Sequence, residues 1–323
     1  MIKQSPEFDL IARHFTRPAA NAVLGVGDDC ALVDVSNGMD LAVSTDTMVS
    51  GTHFFPDVDP ETLGHKALAV NLSDMAAMGA TPYWAMLALT VPAVNHEWLA
   101  KFAKGFFDLA EESGVSLIGG DTTKGPLTLT VTIMGEVPAG AALRRNGAKA
   151  GNDIWVSGNL GDAALAVAHR RGLLKLDEED YMEAVMRLYE PTPRVSLGQA
   201  LRGLATSAID ISDGLLGDLG HICELSKVGA TVEAERLPVS AIGAKHASSL
   251  AGLTAIVAGG DDYELCFTAP ANARESIEDL ADMLGVPLTR IGEIRKGKGV
   301  SLVGADGKAI SVDGRGFDHF TAA

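Results

Sequence analysis

At 323 residues, 47% hydrophobic and 21% charged, the chain carries enough apolar material for two domains. A formal net charge of −16 argues against nucleic-acid or anionic-membrane partners, whose phosphates need clustered Lys and Arg. Cys30, Cys223 and Cys266 are odd in number, widely spaced and form no CxxC, which argues against a disulfide framework or a zinc site and fits a reducing cytoplasm.

Residues 6–15 predict a short amphipathic helix with Phe8, Ile11 and Phe15 on one side. Lys3, Glu7, Asp9 and Arg13 leave no apolar signal core there, and no later run approaches the ~20 apolar residues that span a bilayer. Gly25-Val26-Gly27-Asp28-Asp29 is a turn rich in glycine and carboxylate. A short strand over 41–45 leads into Ser44-Thr45-Asp46. Asp59 and Pro60 start a helix that runs to about Met78 and stops at Gly79. A buried strand over 83–91 and a helix over 96–113 follow. A strand over 115–118 is expected to break into Gly119-Gly120-Asp121, and Thr alternates with apolar residues over 127–135.

The composition changes between Gly140 and Gly151, a Gly/Ala-rich stretch carrying Arg144, Arg145 and Lys149. The expected domains are therefore 1–140 and 141–323. The second half predicts a strand at 154–157 and helices at 162–171, 178–189 and from Pro193 to Leu204. Next come a strand at 208–211 and Ser212-Asp213-Gly214 opening a helix to about Leu225, with Ser212 as cap. Strands are expected at 231–235, 254–258, 264–268, 288–293 and 299–303, with a helix at 272–284. Gly119-Gly120-Asp121-Thr122 and Gly259-Gly260-Asp261-Asp262 read either as a chance likeness or as two related acidic turns.

Nine aspartates sit at element ends or in glycine turns: Asp28, Asp29, Asp46, Asp74, Asp121, Asp210, Asp213, Asp261 and Asp262. Aspartate commonly caps such turns through backbone N–H groups. Asp74 is different: it lies late in a helix, against the negative end of the dipole, among Met75, Ala76, Ala77 and Met78. Asp210 ends an apolar strand. If several of these carboxylates converge, two at ~4 Å repel by about 4 kcal/mol, which a bound cation removes. With no His/Cys set available, the cation should be hard, Mg²⁺ first, held by carboxylates and substrate phosphates. No glycine-lysine phosphate loop, dinucleotide fingerprint, zincin pair or nucleophile elbow is present. The residues thus point to Mg²⁺-dependent phosphoryl transfer from ATP. A non-catalytic acidic cation-binding protein is the alternative from another class.

Several motifs occur in order over essentially the whole chain. They are Gly27-Asp28-Asp29-Cys30-Ala31, Ser44-Thr45-Asp46-Thr47, His53-Phe54, the run Lys66 to Gly79, Gly119 to Thr123, Asp210 to Leu215, Gly260 to Leu265 and Gly316 to Phe320. Together they resemble the thiamine-monophosphate kinase family, within the aminoimidazole-ribonucleotide-synthetase and selenophosphate-synthetase superfamily. The resemblance implies an α/β (α+β) fold of two domains, with a homodimer formed through the N-terminal sheets and a C-terminal domain completing the active site. It implies phosphorylation of thiamine monophosphate by ATP with several Mg²⁺ ions. It further implies magnesium ligation by Asp29, Ser44, Thr45, Asp46, Asp74, Asp121, Asp210 and Asp213. ATP contacts are implied for Gly120, Asp121, Arg145 and Ser212, and thiamine monophosphate contacts for His53, Asp261 and Phe317. Asp46, Asp74, Asp121 and Arg145 would carry the catalysis. Asp261 stands where the family often has Glu. A selenophosphate synthetase should show a reactive Cys early in the chain, and here none precedes Cys30. Cys30 itself is expected to be a small buried residue.

Overall fold

The computed structural model describes residues 6–312 and Gly316, with the side chains of Pro6 and Phe8 left aside. It divides into two compact units, Met1–Met75 with Ala80–Gly140, and Ala76–Gly79 with Ala141–Ala323. Phe317 lies outside the described residues.

The first unit opens with α1 (Pro6–His14), followed by β1 (Met39–Val49), α2 (Pro60–Ala77), β2 (Thr81–Val91), α3 (His96–Glu112), β3 (Ser116–Lys124) and β4 (Thr128–Pro138). The four strands form one sheet in the order β1-β4-β2-β3, antiparallel except for the β2–β3 pair, which α3 crosses over. Alternation in β4 places Leu129, Val131 and Ile133 in the core and leaves Thr128, Thr130 and Thr132 partly open. A hydrogen bond from Ser44 to Asp74 ties the covered side of β1 to α2. The other side carries Leu41, Val43 and Met86, all exposed.

Two glycines set how closely α2 and α3 approach. A Cβ on Gly105 would lie 1.8 Å from the Glu61 carbonyl oxygen, and one on Gly64 would lie 2.0 Å from that of Phe102. Helix α3 starts where Asn95 accepts from the N–H groups of Glu97 and Trp98, and it buries Phe102 and Phe106 completely.

The second unit contains β5 (Asn152–Ser157), α4 (Asp162–Arg170), α5 (Glu178–Tyr189), α6 (Val195–Ala200), β6 (Ser207–Asp210), α7 (Leu215–Ser226) and β7 (Gly229–Glu233). It continues with α8 (Ala241–His246), α9 (Leu250–Ala258), β8 (Leu265–Pro270), α10 (Arg274–Leu284), β9 (Leu288–Arg295) and β10 (Gly299–Val303). Its six strands run β10-β7-β9-β5-β8-β6, with only β10–β7 parallel. Period-two alternation along β5 splits the core. Ile154 and Val156 join Leu219, Ile222 and Ile256, while Trp155 joins Phe267, Leu201 and Ile277. Ala76 and Ala77, the last residues of α2, belong to the second of these clusters.

Three expectations change. Residues 254–258 are not a strand but the end of α9, whose Ser249 cap accepts from Gly252 N–H. Strand β3 does not break at Gly119 but continues through it to Lys124, with a register shift opposite Ala85 and Met86. The helix expected from Pro193 to Leu204 shrinks to Val195–Ala200. Of the two readings of the Gly-Gly-Asp segments, the chance likeness fits, one lying inside a strand and the other in a loop after a helix.

Candidate active site

In the first unit, β1 and the last turns of α2 bring one polar group together. Ser44 Oγ donates to Asp74 Oδ2 at 2.6 Å, and the Asp46 backbone N–H donates to Asn71 Oδ1 at 3.3 Å. Asn71 is itself held by a bond from its Nδ2 to the Ala67 carbonyl at 3.0 Å. Asp74 stands three residues before the end of α2, so its charge opposes the helix dipole and the Ser44 hydroxyl offsets part of that cost. Thr45 points the other way. Strand alternation sends it to the side opposite Ser44, where its Oγ1 pairs with Thr132 Oγ1 at 2.9 Å.

Asp121 stands at the far edge of the same sheet. In register, it faces Ala88, Ala88 faces Thr130, and Thr130 faces Thr47. Three strand spacings of ~4.8 Å put β3 roughly 14 Å from β1, too far for Asp46 and Asp121 of one chain to ligate one ion. Within a single copy, these two carboxylates would therefore serve separate ions rather than share one. Beside Asp121, Gly120 has φ +147°, and a Cβ there would lie 1.9 Å from the Leu87 carbonyl oxygen, so only glycine lets the strands pair.

Asp28 and Asp29 are exposed, and the Asp29 N–H donates to Asp28 Oδ1 at 2.9 Å. Cys30 next to them is exposed rather than buried, a correction to the sequence expectation, because the turn around it packs little apolar surface. His53 Nδ1 accepts from the Val49 N–H at 2.9 Å, which places the ring proton of the neutral imidazole on Nε2.

In the second unit, the strand end Asp210 is buried at 4% exposure and leads into the Ser212-Asp213-Gly214 turn. Ser212 does not cap α7, since Gly214 occupies the cap position without any side-chain bond. Asp218 Oδ2 instead accepts from the N–H groups of Ser212, Asp213 and Gly214, each at 3.1 Å. Burial pushes the Asp218 carboxyl up to about 7, and the charges of Asp210 and Asp213 push in the same direction.

The 259–264 loop grips the same turn. Asp261 N–H donates to the Ser212 carbonyl at 2.8 Å, and Tyr263 N–H donates to that of Ile211 at 2.9 Å. Asp261 and Tyr263 hold positive φ values of 63° and 51°, a conformation the neighbouring contacts must sustain. Asp262, half-buried, accepts from the Gly161 N–H at 2.8 Å, and desolvation raises its carboxyl well above the usual range. Glu264 is clasped by Arg194, Nε to Oε2 at 2.7 Å, and also accepts from Ser157 Oγ. Arg145 is exposed, and its carbonyl accepts from Ser226 Oγ at 3.1 Å.

Asp218, Glu264 and Arg194 are site-shaping residues that the sequence did not single out, whereas Asp262 was among its nine candidate aspartates. For Asp218, an acidic residue one turn after an acidic glycine turn is the signal that could have found it.

Among the described residues, no three His, Cys, Asp or Glu side chains gather closely enough to cage a metal alone. The donors around Ser44, Asp46 and Asp74, and around Asp210 and Asp213, are all oxygens. That chemistry fits a hard cation whose shell phosphates and water complete.

Residues 27–137 match the AIR synthase related protein N-terminal domain family, and residues 149–305 match its C-terminal domain family. A curated thiamine-monophosphate kinase of Escherichia coli strain K12 is 47% identical over 319 residues, 97% of this chain and 98% of its own length. The chain belongs to the thiamine-monophosphate kinase family. The crystal structure of the family's member from Stenotrophomonas maltophilia K279a aligns with TM-score 0.84 and 47% identity, covering 94% of this chain and 96% of that one. AaThiL complexed with AMPPCP and TMP aligns with TM-score 0.76 and 28% identity, covering 97% and 96% of the two chains. Membership accounts for the two-domain fold.

Proposed function

We propose that the chain transfers the γ-phosphoryl group of ATP to the phosphate of thiamine monophosphate, giving ADP and thiamine diphosphate. What carries this reading is full-length identity of 47% to thiamine-monophosphate kinases in a chain whose acidic turns are held by specific hydrogen bonds. The complex of AaThiL with AMPPCP and TMP, a relative at 28% identity, supports the same pair of substrates.

The acceptor is a phosphate monoester, already ionised near neutral pH, so no residue has to act as a base. The obstacle is an anion approaching a polyanion, and positioning with charge neutralisation meets it. Bound Mg²⁺ would supply that neutralisation. Asp29, Ser44, Asp46, Asp74, Asp121, Asp210 and Asp213 are the residues to hold it. Thr45 would take part through its backbone, given its side chain's other bond. Gly120, Ser212 and the exposed Arg145 would receive the nucleotide. The Nε2–H of His53 would donate to the acceptor phosphate, and Asp261 and Phe317 would meet the thiamine moiety. Transfer is direct and in line, with no phosphoenzyme.

A second copy of the chain completes this reading. Asp46 and Asp121 stand at opposite edges of one sheet, whose open side shows Leu41, Val43 and Met86. A homodimer through that side would cover the apolar residues and bring the edges of two sheets together. No helix among the described residues is long and apolar enough to cross a membrane. The formal charge of −16 favours small anionic substrates reached through cations, in a cytoplasmic setting, over nucleic acid.

A coupled ADP-release assay tests the proposal with thiamine monophosphate, thiamine and an aminoimidazole ribonucleotide precursor as acceptors. Release should need Mg²⁺ and rise only with thiamine monophosphate. Thiamine proving the better acceptor would overturn the substrate, and stable labelling of the protein by ATP alone would overturn direct transfer.

A further inference from the structure

Asp218 lies in the first turn of α7, is 3% exposed, and belongs to none of the ligand sets above. Its Oδ2 collects three consecutive backbone N–H groups, from Ser212, Asp213 and Gly214. Three amides converging on one oxygen fix the peptide planes on both sides of Asp213, because turning any one of them breaks a bond. Gly214, with φ +120°, contributes no capping side chain.

The opposite side of the turn is held as tightly. The Ser212 carbonyl accepts from Asp261 N–H, and a Cβ on Gly260 would lie 2.3 Å from that same oxygen. The turn is thus held from α7 on one side and from the 259–264 loop on the other. A ligand carboxylate whose own backbone is fixed loses less freedom on meeting a cation than one on a loose glycine turn.

We infer that Asp218 is a positioning residue, which sets the orientation of Ser212 and Asp213 for the metal–nucleotide substrate. This rests on the kinase reading for what the turn receives, but the holding of the turn does not depend on it. Asp218→Ala removes the acceptor. Asp218→Asn keeps the size and one acceptor oxygen.

Three measurements decide it: backbone amide exchange at residues 212–214 in the metal-free protein, calorimetric binding of Mg²⁺ with a non-hydrolysable ATP analogue, and KM for thiamine monophosphate. Asp218→Ala should speed exchange at all three amides and weaken binding of the Mg²⁺–analogue pair by about 10-fold or more, the scale expected when a partner that orients a metal ligand is lost. KM for thiamine monophosphate should stay within about two-fold of the parent's, since a merely loosened fold would move both affinities together. Asp218→Asn should recover part of the lost affinity, and it decides the matter alone if Asp218→Ala does not fold. Parent-like exchange and analogue affinity in the folded variants would overturn the inference. Failure of the parent to release ADP with thiamine monophosphate would sink the kinase reading instead, while exchange in the metal-free protein would still judge Asp218.

Discussion

Asp74 concentrates the residue-scale chemistry of the first unit. It is a carboxylate at the unfavourable end of a helix, half-buried, with a serine hydroxyl from a neighbouring strand aimed at it. Asp74→Asn keeps that hydrogen bond feasible and removes the charge. It should lower kcat for ADP release by about 100-fold or more, the range seen when one preorganised electrostatic group is removed. Ser44→Ala keeps the charge and loses one donor, and a smaller loss of about 10-fold is expected. Parallel far-UV circular dichroism should show both variants folded, and equal losses would mean that the charge of Asp74 is not what matters. The aspartates of this group were legible because Asp74 broke a rule of helix electrostatics. Asp218 was not, since its work is to hold backbone amides through a fold of the chain that spacing alone does not reveal. For Thr45, adjacency in sequence to Ser44 means opposite sides of a strand, so its side chain is turned to Thr132 and only its backbone is left for the role the sequence gave it.

Elements with strong periodicity or clear punctuation were predictable. The acidic helix over 178–189 and the strand over 299–303 fall where the pattern puts them, and α3 begins at the residue after its asparagine cap. Residues 254–258 failed because a short apolar run has no period of its own, and Leu250 to Leu253 complete a helix that Ser249 caps. One element also carries a pH dependence. Helix α1 ends in His14, 7% exposed, whose Nε2 lies 3.0 Å from Nδ1 of His96 on α3, with the two rings stacked. Burial lowers the His14 pKa below its ordinary 6.5, and His96 and Arg13 lower it further against the opposing pull of Asp9. The unfolded chain therefore takes up this proton before the folded one does. The stability contribution is complete above pH 6.5 and is lost as pH falls below it. Protection of the α1 amides, with exchange rates corrected for their intrinsic pH dependence, should fall between about pH 7.5 and 5.5, and His14→Phe should flatten that response. An unchanged pH dependence in the variant would assign it to other groups.

At the scale of the molecule, composition and motif order announced two acidic, glycine-punctuated bodies. They could not announce that Asp46 and Asp121 would stand at opposite edges of one sheet, because strand order is set by pairing and not by sequence order. If a second copy closes the open side of that sheet, a charge placed there should keep copies apart. Val43 is 57% exposed in the single chain, and Val43→Glu should shift sedimentation from dimer to monomer and remove most activity. A variant that remains dimeric and active would place the contact elsewhere. The division of the chain has a consequence for its modularity. Residues 76–79 fold with the second body, where the Leu143 N–H bonds the Met78 carbonyl and Gly198 abuts Ala76. A cut at Gly140 would therefore take from the C-terminal body the two alanines that pack among its Leu143, Leu197 and Leu201.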